Sequence, residues 1–308
     1  MTNVRAIFAS DIHLQARAPI ARAGEPDWFE AMARPLVELA ELKKRHGDVP
    51  ILYAGDIFDR WNASPEVINF ALANLPAGIA VPGQHDLPNH AYDEIRRSAY
   101  WTLVEADRIL NLPPGCPVVL GGLELTGFPW GHEPEPAEPR SQGKPRIALA
   151  HKFIWKGSVD TGYPGAPEAA RVGVVKAAVA GYDVAVFGDN HKPFIHLESG
   201  CCIVNCGGFM RRKVDERCHR PGVVLLYDDA TVERYTFSIA DETFAEVSEA
   251  EAMVDRLLDM DALIKSLKTL GADEALDFRA AVDRFLVDNA VPEPVARIIL
   301  EACSEGAL

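Results

Sequence analysis

The strongest constraint on this chain is a pairing repeated five times: a short apolar run, then side chains of the kind that bind metal ions. Residues 4–9, 49–54, 79–81, 147–150 and 184–187 are mostly aliphatic and of strand length. Such continuous runs read as strands buried on both faces. The first leads into Asp11-Ile12-His13, where a period of two puts both metal-type side chains on one side. The second leads into Gly55-Asp56-Ile57-Phe58-Asp59-Arg60, and the third into Gly83-Gln84-His85-Asp86. The fourth ends at His151, and the fifth runs into Gly188-Asp189-Asn190-His191. In an open α/β sheet, ligand sites gather at the carboxyl ends of the strands. Five strand ends therefore bring acids, imidazoles and one amide to a common rim.

The intervals between these runs have helical spacing. Residues 27–45 form one predicted helix, with Asp27 as N-cap and Glu30 three residues on. Pro35 lies inside it and predicts a kink or a break. Residues 65–75 form a second, capped by Ser64 and opened by Pro65. Strand and helix in alternation imply a layered α/β domain. Residues 118–120 and 123–126 flank Gly121-Gly122 and read as a hairpin. Residues 133–145 form a proline-rich loop, and further strands are expected at 203–205, 223–227 and 231–237.

From about residue 245 the pattern is helical. Phe278, Ala281, Val282, Phe285 and Leu286 share one helix face, as do Val295, Ile298, Ile299, Ala302 and Cys303. The expected division is a catalytic domain over residues 1–240 and a small acidic helical region over 241–308. The second part holds 16 acidic and 6 basic residues, against 29 and 25 in the first, within a total net charge of −14. The first 240 residues are thus nearly neutral, which leaves a phosphate-bearing substrate open to them. The overall acidity argues against a strongly basic nucleic-acid binder.

No window approaches the 18 or so consecutive apolar residues of a membrane span. Six cysteines in 308 residues make no disulfide scaffold, and the expected home is a reducing cytoplasm. Cys201, Cys202, Cys206 and Cys218 lack the paired spacing of structural zinc and read as buried thiols.

Taken in order, the five segments resemble the calcineurin-like metallophosphoesterase superfamily. Its pattern is Asp-x-His, Gly-Asp, Gly-Asn-His-Asp, a lone His, and Gly-His-x-His. The opening Ser10-Asp11-Ile12-His13-Leu14, the Gly55–Asp59 block and Asn205-Cys206-Gly207-Gly208-Phe209-Met210-Arg211 most resemble SbcD-type DNA-repair exonucleases. Two positions depart from the superfamily pattern: Gln84 stands where the family has Asn, and Asp189 where it has His. The resemblance implies an α/β two-sheet sandwich flanked by helices. It implies one metal on Asp11, His13, Asp56 and His191, and a second on Asp56, Gln84, His151 and Asp189, with Asp56 bridging. His85 would protonate or hydrogen-bond the leaving oxygen, and Asp86 would orient it. Phosphoester hydrolysis by a hydroxide shared between two ions follows from this set. The extra oxygen ligand at Asp189 favours Mn²⁺, or Mg²⁺, over Zn²⁺.

The substrate expected from the resemblance is DNA, with a small nucleotide or cyclic nucleotide as the alternative, and a non-catalytic metal-binding role as a third. SbcD-type nucleases also imply a C-terminal segment that meets an SMC-like ATPase, and homodimers are common among them. Residues 241–308 would supply that docking hairpin here, or else simply cap the core domain. Asp59 reads equally as a helix cap or as a partner of the metal site. Arg60, His90, Lys152 and the run Arg211-Arg212-Lys213 read as solvated groups first and phosphate contacts second. Trp61, Trp101, Trp130 and Trp155 read first as packing and second as base-stacking platforms.

Overall fold

The computed structural model describes residues 3–138 and 143–246, apart from 159, 164 and 199. The chain divides into two compact units. The larger comprises residues 1–17, 26–211 and 219–242, and the smaller 18–25, 212–218 and 243 onward. The two amphipathic helices expected over 278–303 lie outside the described residues.

The larger unit is a sandwich of two mixed six-stranded sheets flanked by helices. It opens with strand β1 (Val4–Ala9), helix α1 (Trp28–Arg45), strand β2 (Ile51–Ala54), helix α2 (Pro65–Asn74) and strand β3 (Gly78–Val81). Helix α3 (Ala99–Glu105) and strand β4 (Ile109–Asn111) follow. The hairpin β5 (Pro117–Leu120) and β6 (Leu123–Phe128) leads to β7 (Arg146–His151), the single-turn helix α4 (Val172–Val175) and β8 (Val184–Gly188). The last strands are β9 (Phe194–Glu198), β10 (Cys201–Asn205), β11 (Gly222–Tyr227) and β12 (Val232–Thr236). The first sheet has the order β12-β11-β1-β2-β3-β4, and the second β5-β6-β7-β8-β10-β9. Strands β1 to β4 are mutually parallel, as are β6, β7, β8 and β10, and antiparallel pairs close the rest.

Alternation along each strand builds the core. Phe8, Leu52, Ala54, Val81, Leu125, Leu149, Val186, Val204 and Val224 all belong to the cluster between the sheets. Their neighbours Ala148, Ala150, Ala185, Phe187 and Ile203 point the other way and pack with Val172 and Val175 of α4. Cys202 joins the first cluster and Cys201 the second, so adjacent thiols face opposite sides, as a strand requires. Both are buried free thiols, as is Cys206, whereas Cys218 is exposed, contrary to expectation.

Local signals fix the helix starts. Asp27 accepts the Glu30 N–H at 3.1 Å, and Ser64 accepts the Val67 N–H at 3.4 Å. The break expected at Pro35 does not occur: α1 runs through it to Arg45. Leu36, Leu39 and Leu42 lie beyond the proline and are all buried. Ending the helix there would expose three leucines, at about 1.5–3 kcal/mol each, against about 3 kcal/mol for a proline in a helix interior.

In the smaller unit, Arg22 and Glu25 form a buried pair at 2.5 Å, and the Thr243 N–H donates to the same Glu25 carboxylate at 2.8 Å. The guanidinium groups of Arg22 and Arg217 lie over the Phe244 ring, 5.2 and 5.3 Å from its centre.

Candidate metal centre

The loops that follow the parallel strands keep pairing after the strands end. The Asp11 N–H donates to the Gly55 carbonyl at 3.1 Å, the His13 N–H to Asp56 at 2.9 Å, and the Leu14 N–H to Ile57 at 2.9 Å. This zips the loop after β1 to the loop after β2. Pairing of β7 with β8 sets His151 opposite Gly188, one residue before Asp189. The bends cost backbone strain. Asp11, His13, Asp56 and Asp189 all have positive φ, between 51° and 80°, and non-glycine residues hold such angles only where the surroundings impose them. Two glycines make room. A Cβ on Gly55 would come within 2.1 Å of His151 Nδ1, and one on Gly83 within 2.0 Å of Asp56 Oδ1.

The side chains converge on Asp56. Its Oδ2 lies 3.4 Å from His151 Nε2, 3.7 Å from His13 Nε2 and 4.0 Å from His85 Nε2. His191 Nε2 is 3.2 Å from His13 Nε2 and 3.9 Å from Asp11 Oδ1. Three overlapping groups can each hold an ion: Asp11, His13 and His191; His13, Asp56 and His85; Asp11, Asp56 and His151. Ligand tautomers are set from outside. The Ala54 carbonyl is 2.6 Å from His151 Nδ1, so that nitrogen carries the hydrogen and Nε2 faces the cluster. The Asp59 carbonyl does the same for His85 Nδ1 at 2.9 Å, and the Asp59 carboxylate stands 3.7 Å from His13 Nδ1.

The two departures from the family pattern meet each other. Gln84 donates through Nε2 to Asp189 Oδ1 at 2.7 Å, and its Oε1 lies 2.7 Å from His151 Nε2. The longer amide thus spans from the imidazole to the carboxylate. The Asp189 backbone N–H in turn donates to Asp11 at 3.0 Å.

Burial and charge pull in opposite directions here. Burial pushes the Asp11 carboxyl up to about 6, against the pull of His191 and His151. Burial also works against the charge on Asp56, but the imidazoles of His151 and His85 hold its carboxyl below the ordinary range. Burial works against a charged His151 as well, yet Asp56 beside it outweighs that and carries it up to about 10. A largely buried set of two carboxylates and four imidazoles, whose ligand atoms lie within 4.8 Å of one another in each group, fits divalent cations, whose charge would offset the carboxylates.

All nine residues predicted from the sequence therefore lie in this one region. The role expected of Asp86 is corrected, however. Its carboxylate accepts the backbone N–H groups of Gly83, Ile57 and Phe58 at 3.0, 3.2 and 2.9 Å, while the Asp59 carbonyl takes the place expected of it at His85. Asp86 braces the loop that carries Asp56. Asp59 acts on both His13 and His85, which a strand-end pattern alone could not distinguish from helix capping. Asn190 and Asn205 were not singled out as site residues. Asn190 Nδ2 donates to the carbonyls of Ile154 and Thr161, and Asn205 Nδ2 to those of Asn190 and Lys192, so both pin the loop that presents His191. Trp130 stands edge-on to both His151 and His90, with ring centres 6.3 and 6.4 Å away. Lys152 pairs with Glu133, and Arg211 pairs with Glu242 at 2.5 Å.

The sequence model of the calcineurin-like phosphoesterase family matches residues 4–193, the span that carries every residue of this centre. The chain belongs to that family. As a calcineurin-like phosphoesterase it is a metal-binding hydrolase with the geometry of a two-ion site. A comparison with curated proteins gave no match. Solved structures similar to it include an archaeal phosphodiesterase (14% identity, 77% of this chain and 100% of that one, TM-score 0.39). A metallophosphoesterase from Sphaerobacter thermophilus is similar at 16% identity, over 83% and 95% of the two chains, with a TM-score of 0.37. A sulfate thiohydrolase from Thermus thermophilus is similar at 14% identity, over 85% and 62%, with a TM-score of 0.44. Among the described residues no helix is long and apolar enough to cross a membrane.

Proposed function

We propose that this calcineurin-like phosphoesterase hydrolyses phosphodiesters of the nucleic-acid type, with DNA as the polymer substrate and Mn²⁺ as the activating ion. The observation that supports this reading is the convergence of His13, His85 and His151 on one carboxylate oxygen of Asp56. Asp11, His13, Asp56 and His191 would hold one ion, and Asp56, Gln84, His151 and Asp189 the other. Ions held there would lower the pKa of a water and neutralise charge on the phosphoryl group. The chain's own groups do the rest. His85, with Nδ1 fixed on a carbonyl, presents Nε2 to the centre and can carry a proton there for the leaving oxygen. Asp59 holds that imidazole through its carbonyl, and Asp86 braces the loop that carries Asp56. The likeness of the Gly55–Asp59 and Asn205–Arg211 segments to SbcD-type exonucleases supports DNA as the polymer.

A second reading, a small nucleotide diester, is favoured by the Arg211–Glu242 pair, which draws one cation of the basic run away from phosphate contact. The deciding assay uses metal-stripped protein given back Mn²⁺, Mg²⁺ or Zn²⁺, with end-labelled linear DNA beside bis(p-nitrophenyl) phosphate. DNA degradation that needs Mn²⁺, vanishes in Asp56→Ala and falls about 10²-fold in His85→Ala is the expected result. Turnover of the small diester with intact DNA would retain the chemistry and remove DNA as the substrate.

A further inference from the structure

Beside the metal centre lies an open cavity of about 340 Å³ in the larger unit. It is walled by Leu14, Gln15, Arg17, Asp59, Arg60 and Asn62, among others. Its volume is at the lower end of small-ligand pockets, enough for a group of about nucleotide size. It adjoins the reacting centre through Asp59, which holds His85 through its carbonyl and faces His13 through its carboxylate. Two of its walls are arginines, both exposed, and among the described residues neither makes an ion pair. The one acid in the wall, Asp59, turns its Oδ1 toward His13. The cavity thus carries two cations in its wall and shares Asp59 with the centre where His85 would meet a leaving oxygen.

We propose that this cavity is a subsite for the phosphate one nucleotide away from the scissile diester, gripped by Arg17 and Arg60. The inference rests on the phosphodiesterase reading and sharpens it. A guanidinium presents a planar pair of donors that matches two phosphate oxygens, and Arg17 and Arg60 approach from two different loops. A substrate with a flanking phosphate would be anchored at two points, and a diester without one would be held by the metal centre alone. Arg17 and Arg60 are positioning residues: their contribution belongs in KM and in the choice of substrate, and leaves the chemical step untouched.

The test compares three diesters on Mn²⁺-loaded protein: bis(p-nitrophenyl) phosphate, the thymidine dinucleotide TpT, and TpT phosphorylated at its 5′ or its 3′ end. In the wild type, one of the phosphorylated forms should have a KM about tenfold below that of TpT, as one charge-assisted contact can supply. In the Arg17→Ala/Arg60→Ala protein that advantage should vanish, with kcat and bis(p-nitrophenyl) phosphate turnover kept. Arg17→Lys/Arg60→Lys should retain part of it. A wild type that hydrolyses the chromogenic diester yet shows no advantage, or a double variant that keeps it, overturns the subsite alone. A wild type that hydrolyses no diester with any of the metals overturns the proposed function and the subsite with it.

Discussion

His85 has its Nδ1 on the Asp59 carbonyl and its Nε2 4.0 Å from Asp56, and in the proposed reaction that Nε2 would serve the leaving oxygen. The need for that proton depends on the leaving group. His85→Ala should slow hydrolysis of TpT about 10²-fold, the lower end of what a general acid contributes, and should barely slow release of p-nitrophenolate, which leaves unaided. Steady-state rates on the two substrates check this, and equal losses would show that His85 serves the metal instead. The ion-free site also stores protons. His151 is held up to about 10 and Asp11 up to about 6, so both titrate above their ordinary ranges. A ligand must shed its proton before it binds a cation. Metal affinity should therefore strengthen as pH rises from 5 to 9, with proton release on binding: from Asp11 and His151 below about pH 6, and from His151 alone above it. Titration calorimetry in buffers of different ionisation enthalpy reads that release directly. At this scale the residue types were legible in the sequence, because acids and imidazoles after buried strands have few other uses in such number. The partners were not. Asp86 follows His85 in the chain, yet a tight turn aims its carboxylate at the amides of Gly83, Ile57 and Phe58, and adjacency said nothing of that.

The loops act as units because each is tied to the next. Gly83 opens the turn that carries Gln84, His85 and Asp86, and it packs against Asp56. A methyl group there would meet Asp56 Oδ1 at 2.0 Å, a distance no real contact tolerates. Its backbone is ordinary, so the penalty of Gly83→Ala is purely steric, about 1–3 kcal/mol of overpacking. Thermal unfolding with and without Mn²⁺ should show a lower Tm and a much smaller gain from the metal, because the displaced carboxylate is the shared one. Pro35 offers the opposite case. It sits inside α1, where it removes one helix hydrogen bond. Pro35→Ala should stabilise the protein by up to about 3 kcal/mol, read as a higher urea midpoint at unchanged slope. The expected break at Pro35 failed because proline chemistry is local, while the buried leucines beyond it are held by the tertiary core. Strands β4 and β9 escaped the sequence reading for a related reason. Both are sheet edges, and β9 mixes His196 with the largely exposed Leu197, so neither shows a buried run. The hairpin β5–β6 was legible because Gly121 and Gly122 both take the positive φ that a tight two-residue turn demands.

For the whole molecule, the question is how a chain of net charge −14 would engage a polyanion. Most of that charge lies beyond residue 240, and the nearly neutral remainder does not repel phosphate strongly. Several of its cations are committed to internal partners: Arg211 to Glu242, Lys152 to Glu133, Arg146 to Glu124. Arg17 and Arg60 line the cavity proposed to take the flanking phosphate of a strand. Each phosphate neutralised on a single strand releases about 0.7 of a counterion, so two such contacts give a slope of about −1.4 in log K against log salt. Anisotropy of a labelled oligothymidylate between 50 and 200 mM salt should therefore show a shallow dependence, and the Arg17→Ala/Arg60→Ala protein should show almost none. A slope several times steeper that persists in the double variant would mean that the strand is held by a basic surface elsewhere on the chain. A shallow slope would instead mark a protein that selects its substrate at the metal centre, and whose grip on a strand extends only about one nucleotide beyond the bond it cuts.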